Sequence, residues 1–123
     1  MDQTIKNSNL GDLRWGHTRD CDDAAFTSAV GAYPNASWCG ALDMAGNVWE
    51  WVMDWYDKDY YRSTPAADPQ GPATGGQRVI RGGSWMDTPM DCRTSKRGNL
   101  KPDARLANVG FRVVAAPPAP KAP

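Results

Sequence analysis

Two carboxylates, Asp43 and Glu50, bracket a run with the makings of a metal loop: Asp43-Met44-Ala45-Gly46-Asn47-Val48-Trp49-Glu50. Each carboxylate offers hard oxygen donors. Gly46 permits a sharp turn at positive φ, and such a turn can aim the main-chain carbonyls of Gly46 and Val48 inward. Two carboxylates plus carbonyls suit Ca²⁺ rather than Zn²⁺. The spacing is not that of an EF-hand. The competing reading is a turn running into a strand, with Glu50 paired to an arginine and Trp49 and Trp51 on opposite faces.

Other reactive side chains are scattered. His17 is the one histidine and sits between Gly16 and Thr18 in a polar stretch, so it reads as a solvated loop residue. Cys92 lies between Asp91 and Arg93. It is either a thiolate favoured by nearby cations or a strand cysteine facing the core. Cys21, Cys39 and Cys92 have no CxxC spacing and read as reduced thiols, with one disulfide plus a leftover thiol as the alternative. Arg78, Arg81, Arg93, Arg97, Arg105 and Arg112 either bind an anion or pair with the acidic loops. Tyr56, Tyr60 and Tyr61 beside Trp55 either floor a ligand site or anchor the core.

These side chains need elements to hold them. Residues 1–40 are polar and turn-rich, with a short strand expected near residues 29–35. The run 48–52 is rich in β-formers. Residues 57–77 form a long loop holding Pro65, Pro69, Gly71, Pro72, Gly75 and Gly76, and loops of that length are usually functional or well pinned. Arg78-Val79-Ile80-Arg81 reads as a strand stopped by Gly82-Gly83 and restarted by Ser84-Trp85-Met86. Residues 92–97 and 108–114 read as further strands. Residues 115–123 are an Ala/Pro/Lys tail, expected to be disordered or polyproline-like.

The chain has 123 residues, zero formal net charge, 6 Trp, 12 Gly and 10 Pro. That length suits one domain. Zero net charge gives no electrostatic footprint for nucleic acid or an anionic membrane. No apolar run approaches the ~18 residues of a membrane span, and residues 1–6 carry no apolar signal segment. The expected location is therefore cytoplasmic, or secreted or periplasmic if a targeting segment has been removed. Many Trp, Gly and Pro together suit a loop-rich fold pinned by large aromatics.

Three blocks in order, residues 42–56, Arg78-Val79-Ile80-Arg81-Gly82-Gly83-Ser84-Trp85 and Asn108-Val109-Gly110-Phe111-Arg112-Val113-Val114, with Pro102-Asp103 between the last two, resemble the formylglycine-generating enzyme, or sulfatase-modifying factor, family. The resemblance covers roughly residues 7–114. It implies an α+β, C-type lectin-like fold of short twisted strands, two helices and much irregular loop. It also implies that the chain matches the C-terminal half, or a minimal version, of that domain: residues 1–114, truncated on the N-terminal side. The strand at Gly110 to Val114 then lacks its usual partner, and a homodimer is expected.

The resemblance further implies a calcium site at the Asp43 side chain, Gly46 carbonyl, Val48 carbonyl and Glu50 side chain. It implies a second one at Asn9, the Leu10 carbonyl, Asp22 and the Ala24 carbonyl. Formylglycine generators use two cysteines that bind copper(I) and, with O₂, oxidise a substrate cysteine. Here those positions are Asp87 and Cys92, while Ser84 and Asn108 match polar residues of the family's cleft. One thiolate and one hard carboxylate do not make a two-coordinate cuprous site. The favoured reading is a calcium-stabilised binding or structural module with a ligand rim at Trp85, Asp87, Arg93 and Arg97. The alternatives are a copper-dependent oxidase working through Cys92, with Ser84 and Asn108, a retroelement-type variable ligand-binding protein, and a non-functional fragment that folds only as an oligomer.

Overall fold

A computed structural model of the chain describes residues 26–34, 36–63 and 67–115. Its centre is a four-stranded sheet in the order β3-β2-β1-β4. Strand β1 (Trp49–Trp55) pairs antiparallel with β2 (Arg78–Arg81) and parallel with β4 (Val109–Gly110); β2 pairs antiparallel with β3 (Gly98–Leu100). The β1–β2 ladder joins Glu50 to Arg81 and Trp51 to Ile80, then shifts register before Trp55 meets Arg78. The Arg78 guanidinium stacks 3.6 Å from the Trp55 ring centroid at that end, a cation–π contact that covers the irregularity.

The core is small. Trp49, Val79, Ile80 and Cys92 are its buried hydrophobic residues, with Asn47 and a fully buried Ser84 among them. Strand β2 is covered on both faces, since its neighbours Val79 and Ile80 are both buried, whereas β1 is buried at Trp49 and exposed at Met53. Gly82 and Gly83 carry the chain off the end of β2 at φ +93° and +74°, a conformation that costs other residues strain.

Several expected strands are turns. Residues 29–32 close with Ala32 N–H donating to the Ala29 carbonyl, and residues 84–87 with Asp87 N–H donating to the Ser84 carbonyl. Residues 89–96 are successive turns, in which Cys92 N–H donates to Pro89 and Lys96 N–H to Arg93. The cause is local. Ser84 Oγ accepts from Met86 N–H, and the Thr88 hydroxyl donates to Asp91 at 2.8 Å; such side-chain bonds compete with ladder pairing. The expected strand at 108–114 forms only at Val109–Gly110.

The described residues are mostly sheet and loop, and their helical content is one 3₁₀ turn, Tyr60–Arg62. The two helices expected of the lectin-like fold are not among them. No helix there is long and apolar enough to cross a membrane. The second expected calcium site (Asn9, Leu10, Asp22, Ala24), together with His17, Cys21 and most of the tail, lies outside the described residues.

Candidate functional site

The turn before β1 is tightly specified. Asp43, Gly46 and Asn47 all have positive φ, at 56°, 82° and 63°. Outside contacts hold this strained path in place. Gly46 N–H donates to the Gly82 carbonyl at 2.9 Å, and the Asn47 carbonyl accepts from Trp85 N–H at 2.9 Å. Asn47 Oδ1 accepts from Ser28 N–H at 3.1 Å, and Asp43 Oδ2 accepts from Gly31 N–H at 2.7 Å.

Asp43, Gly46, Val48 and Glu50, the four residues expected to hold calcium, line one cavity of about 200 Å³ together with Val30, Phe111 and Arg112. Arg112 is forked onto Glu50. Its Nε lies 2.9 Å from Oε2 and its NH2 2.7 Å from Oε1. The same NH2 reaches the Leu42 carbonyl at 2.9 Å. The sequence alternative of an arginine partner for Glu50 and the shared-cavity arrangement are therefore both present.

They are compatible. An ionised carboxylate has about four lone-pair sites; the fork takes two, and the 3.2 Å approach of Nε to Oε1 leans on a third. The donor set of two carboxylates and main-chain carbonyls fits a hard cation such as Ca²⁺. Among the described residues no group of three or more His, Cys, Asp or Glu side chains is gathered for any metal ion, so a cation here would rest on the two carboxylates and main-chain carbonyls alone.

A second constellation lies behind the Gly82-Gly83 turn. Asn108 Nδ2 donates to Ser84 Oγ at 3.2 Å, Ser84 Oγ donates to Asp87 Oδ2, and the Trp49 indole N–H donates to the same Asp87 oxygen at 2.8 Å. Cys92 packs against Gly83, where an added Cβ would lie 3.2 Å from the Cys92 Cα. Burial, then the negative charges of Asp87 and Asp91, push the Cys92 thiol from 9.0 up to about 12, against a Gly46 main-chain hydrogen bond that lowers it. The reading of Cys92 as a cation-favoured thiolate gives way to that of a protonated core thiol. Its neighbour Arg93 instead donates to the Met90 carbonyl at 2.8 Å.

The expected ligand rim is divided. Asp87 is turned inward as described. Trp85 packs edge-on against Phe26 at 5.0 Å, with its indole N–H buried and lacking a hydrogen-bond partner. Arg93 lines a separate cavity of about 280 Å³ with Trp38, Cys39, Met44 and Cys92. Arg97 is taken up by Tyr61 and Tyr56, 4.5 and 5.2 Å from their ring centroids, and by the Asp57 carbonyl at 3.1 Å.

Sequence reasoning counted Cys39 as a reduced, half-buried thiol and missed its exposure. It is exposed in a turn closed by Gly40 N–H donating to the Ser37 carbonyl, with Ser37 Oγ 3.1 Å from its sulfur. The Ser37 hydrogen bond, then the Ala41 main chain, lower its pKa. The Ser-x-Cys-Gly spacing was the available signal. At pH 8, iodoacetamide followed by peptide mapping is expected to modify Cys39 rapidly and Cys92 only after unfolding. Comparable rates in the folded protein would contradict the burial of Cys92. A thiol raised in the folded state adds stability that is complete below its unfolded pKa and is lost as pH climbs towards 12, so Cys92→Ala is expected to flatten the stability loss between about pH 9 and 12.

The model of the sulfatase-modifying factor enzyme 1-like domain matches residues 1–117. The chain belongs to this family. A formylglycine-generating enzyme of Streptomyces coelicolor is 39% identical over 109 residues, covering 85% of this chain and 34% of that protein. This sulfatase-modifying factor chain thus spans about a third of the length of that curated relative. Among solved structures, PvdO from Pseudomonas aeruginosa superposes with a TM-score of 0.71 at 28% identity, over 90% of this chain and 40% of that one. Treponema denticola variable protein 1 superposes with a TM-score of 0.68 at 30% identity, over 90% and 37%.

Proposed function

We propose that this chain is a calcium-stabilised binding or structural module of the sulfatase-modifying factor family, with a lectin-like fold and without formylglycine-generating activity. One observation carries the reading. At the position of the first catalytic cysteine stands Asp87, whose carboxylate is already committed to the Trp49 indole and the Ser84 hydroxyl. The remaining cysteine, Cys92, is buried and protonated at neutral pH. Copper(I) favours two soft thiolates, and this pocket offers one thiol beside a hard carboxylate.

The test is a Cys-x-Pro-x-Arg peptide incubated with protein, copper and O₂ and followed by mass spectrometry. The expected result is unchanged peptide; conversion of its cysteine to formylglycine, abolished by Cys92→Ser, would overturn the reading. In parallel, a ligand that binds only the folded state must raise its stability. Millimolar calcium is expected to raise the melting temperature above that in excess EGTA, and Asp43→Ala with Glu50→Ala is expected to remove the difference. Equal melting temperatures in calcium and EGTA count against the calcium assignment.

The module is also read as a homodimer. Strand β4 pairs with β1 on one side and is a sheet edge among the described residues. Beyond it Phe111, Val113 and Val114 are 76%, 83% and 80% exposed. An apolar edge with free main-chain groups is a template for pairing with another strand, and two-fold self-pairing is the commonest way to close it. Light scattering at micromolar concentration is expected to give twice the chain mass; a monomer across a dilution series would rule the dimer out.

A further inference from the structure

We propose that Arg112 is the positioning residue of the cation site: it holds the Glu50 carboxylate so that the lone pairs left free face the cavity shared with Asp43. The inference rests on the calcium reading above and adds a residue to it.

The geometry is specific to a guanidinium. Nε and NH2 each take one Glu50 oxygen, at 2.9 and 2.7 Å, which fixes the carboxylate plane. NH2 also donates to the Leu42 carbonyl at 2.9 Å and lies 3.4 Å from the Asp43 carbonyl. One side chain therefore ties the residue at the start of the loop to the residue at its end, and sets the separation of the two carboxylate-bearing positions. Both partners are half-buried, with side-chain exposures of 32% for Arg112 and 22% for Glu50. Arg112 cannot itself ligate a cation, having donors and no acceptor. Its charge opposes a second cation, so what it contributes to binding is orientation. An ammonium in its place would keep the charge and lose the fork.

The experiment is Tb³⁺ titration of the whole chain, with emission excited through the tryptophans and Ca²⁺ competing, for the parent, Arg112→Lys and Glu50→Gln. Luminescence decay in H₂O and D₂O counts the water molecules on the bound ion. Arg112→Lys is expected to weaken Tb³⁺ and Ca²⁺ binding about 10-fold or more, the range for partners that orient metal ligands, and to add about one coordinated water. A merely structural role would lower the folded fraction and leave the water count of the bound ion unchanged. Glu50→Gln is expected to raise the water count likewise, and decides the matter if Arg112→Lys does not fold. Arg112→Lys with parental affinity and hydration overturns the positioning role and leaves the calcium site standing; Glu50→Gln with parental hydration takes Glu50 off the ion and overturns both the positioning role and the ligand set that contains Glu50. A parent chain that binds no Tb³⁺ overturns the calcium reading itself, and the inference with it.

Discussion

Gly83→Ala is expected to be the most damaging single-methyl change in the described fold. Gly83 sits at φ +74°, and a Cβ built on it would meet the Cys92 sulfur while lying 3.2 Å from both Cα and Cβ of Cys92. Two costs add. A left-handed backbone costs an L-residue about 1–2 kcal/mol, and forcing extra volume into a packed core costs about 1–3 kcal/mol more. Together they remove a large share of the ~5–15 kcal/mol that a domain has in total. Gly40→Ala is the control, because Gly40 has φ +82° with nothing within 4 Å of the new methyl, so it carries the backbone cost alone. Thermal melts should show a fall of about 10 °C or more for Gly83→Ala and a clearly smaller one for Gly40→Ala. Equal shifts would mean that Cys92 moves aside freely. Adding Cys92→Ala to Gly83→Ala should recover part of the loss, since the two sites are in contact and their effects couple.

Asp87→Ala comes next. It strands two donors at once, the Trp49 indole N–H and the Ser84 hydroxyl, around a serine with no exposed surface. An unsatisfied buried donor costs about 1–3 kcal/mol, so urea unfolding should show a loss of about 2–4 kcal/mol. Asp87→Asn keeps an acceptor oxygen at the same place and should lose much less. Both variants remove the charge that helps raise the Cys92 thiol, so both should speed alkylation of Cys92 at high pH. If Asp87→Asn is as unstable as Asp87→Ala, the charge rather than the hydrogen bonding supports the site. The same network means that Asp87→Cys, the change that the proposed reading would regard as restoring a cysteine pair, begins by breaking contacts of the core tryptophan.

How much was legible in the sequence divides along one line: local chemistry was, long-range pairing was not. The loop at residues 43–50 declared itself because its carboxylates and its turn glycine are neighbours in the chain, and Arg78–Arg81 because β-branched residues are stopped by two glycines. The partner of Glu50 was foreseen as an arginine but not as Arg112, which lies 62 residues away. Strand β3 left no signal. Gly98-Asn99-Leu100 has poor strand propensity and is a strand because β2 dictates it: Gly98 faces Ile80, and a Cβ there would sit 2.8 Å from Ile80 Cγ1 and 3.4 Å from the Trp49 ring. Conversely, residues 84–86 and 92–97 carry strand-like composition, yet the Ser84 hydroxyl turns the first and the Thr88–Asp91 bond sets the turns that lead into the second.

The parallel pairing of β1 with β4 bears on the order in which the molecule assembles. Trp49 meets Val109 and Glu50 meets Gly110, so the ladder closes a loop of about 60 residues, and such non-local contacts form late and slowly. β1, β2 and β3 are joined by shorter connections and can zip together first. Arg112 reaches Glu50 only after β4 has docked. The cavity walls are therefore expected to be completed near the last step, on the native side of the folding barrier. Interactions that form there act on the escape rate. A cation held between Asp43 and Glu50 should thus lengthen the lifetime of the folded chain and leave its rate of formation almost untouched.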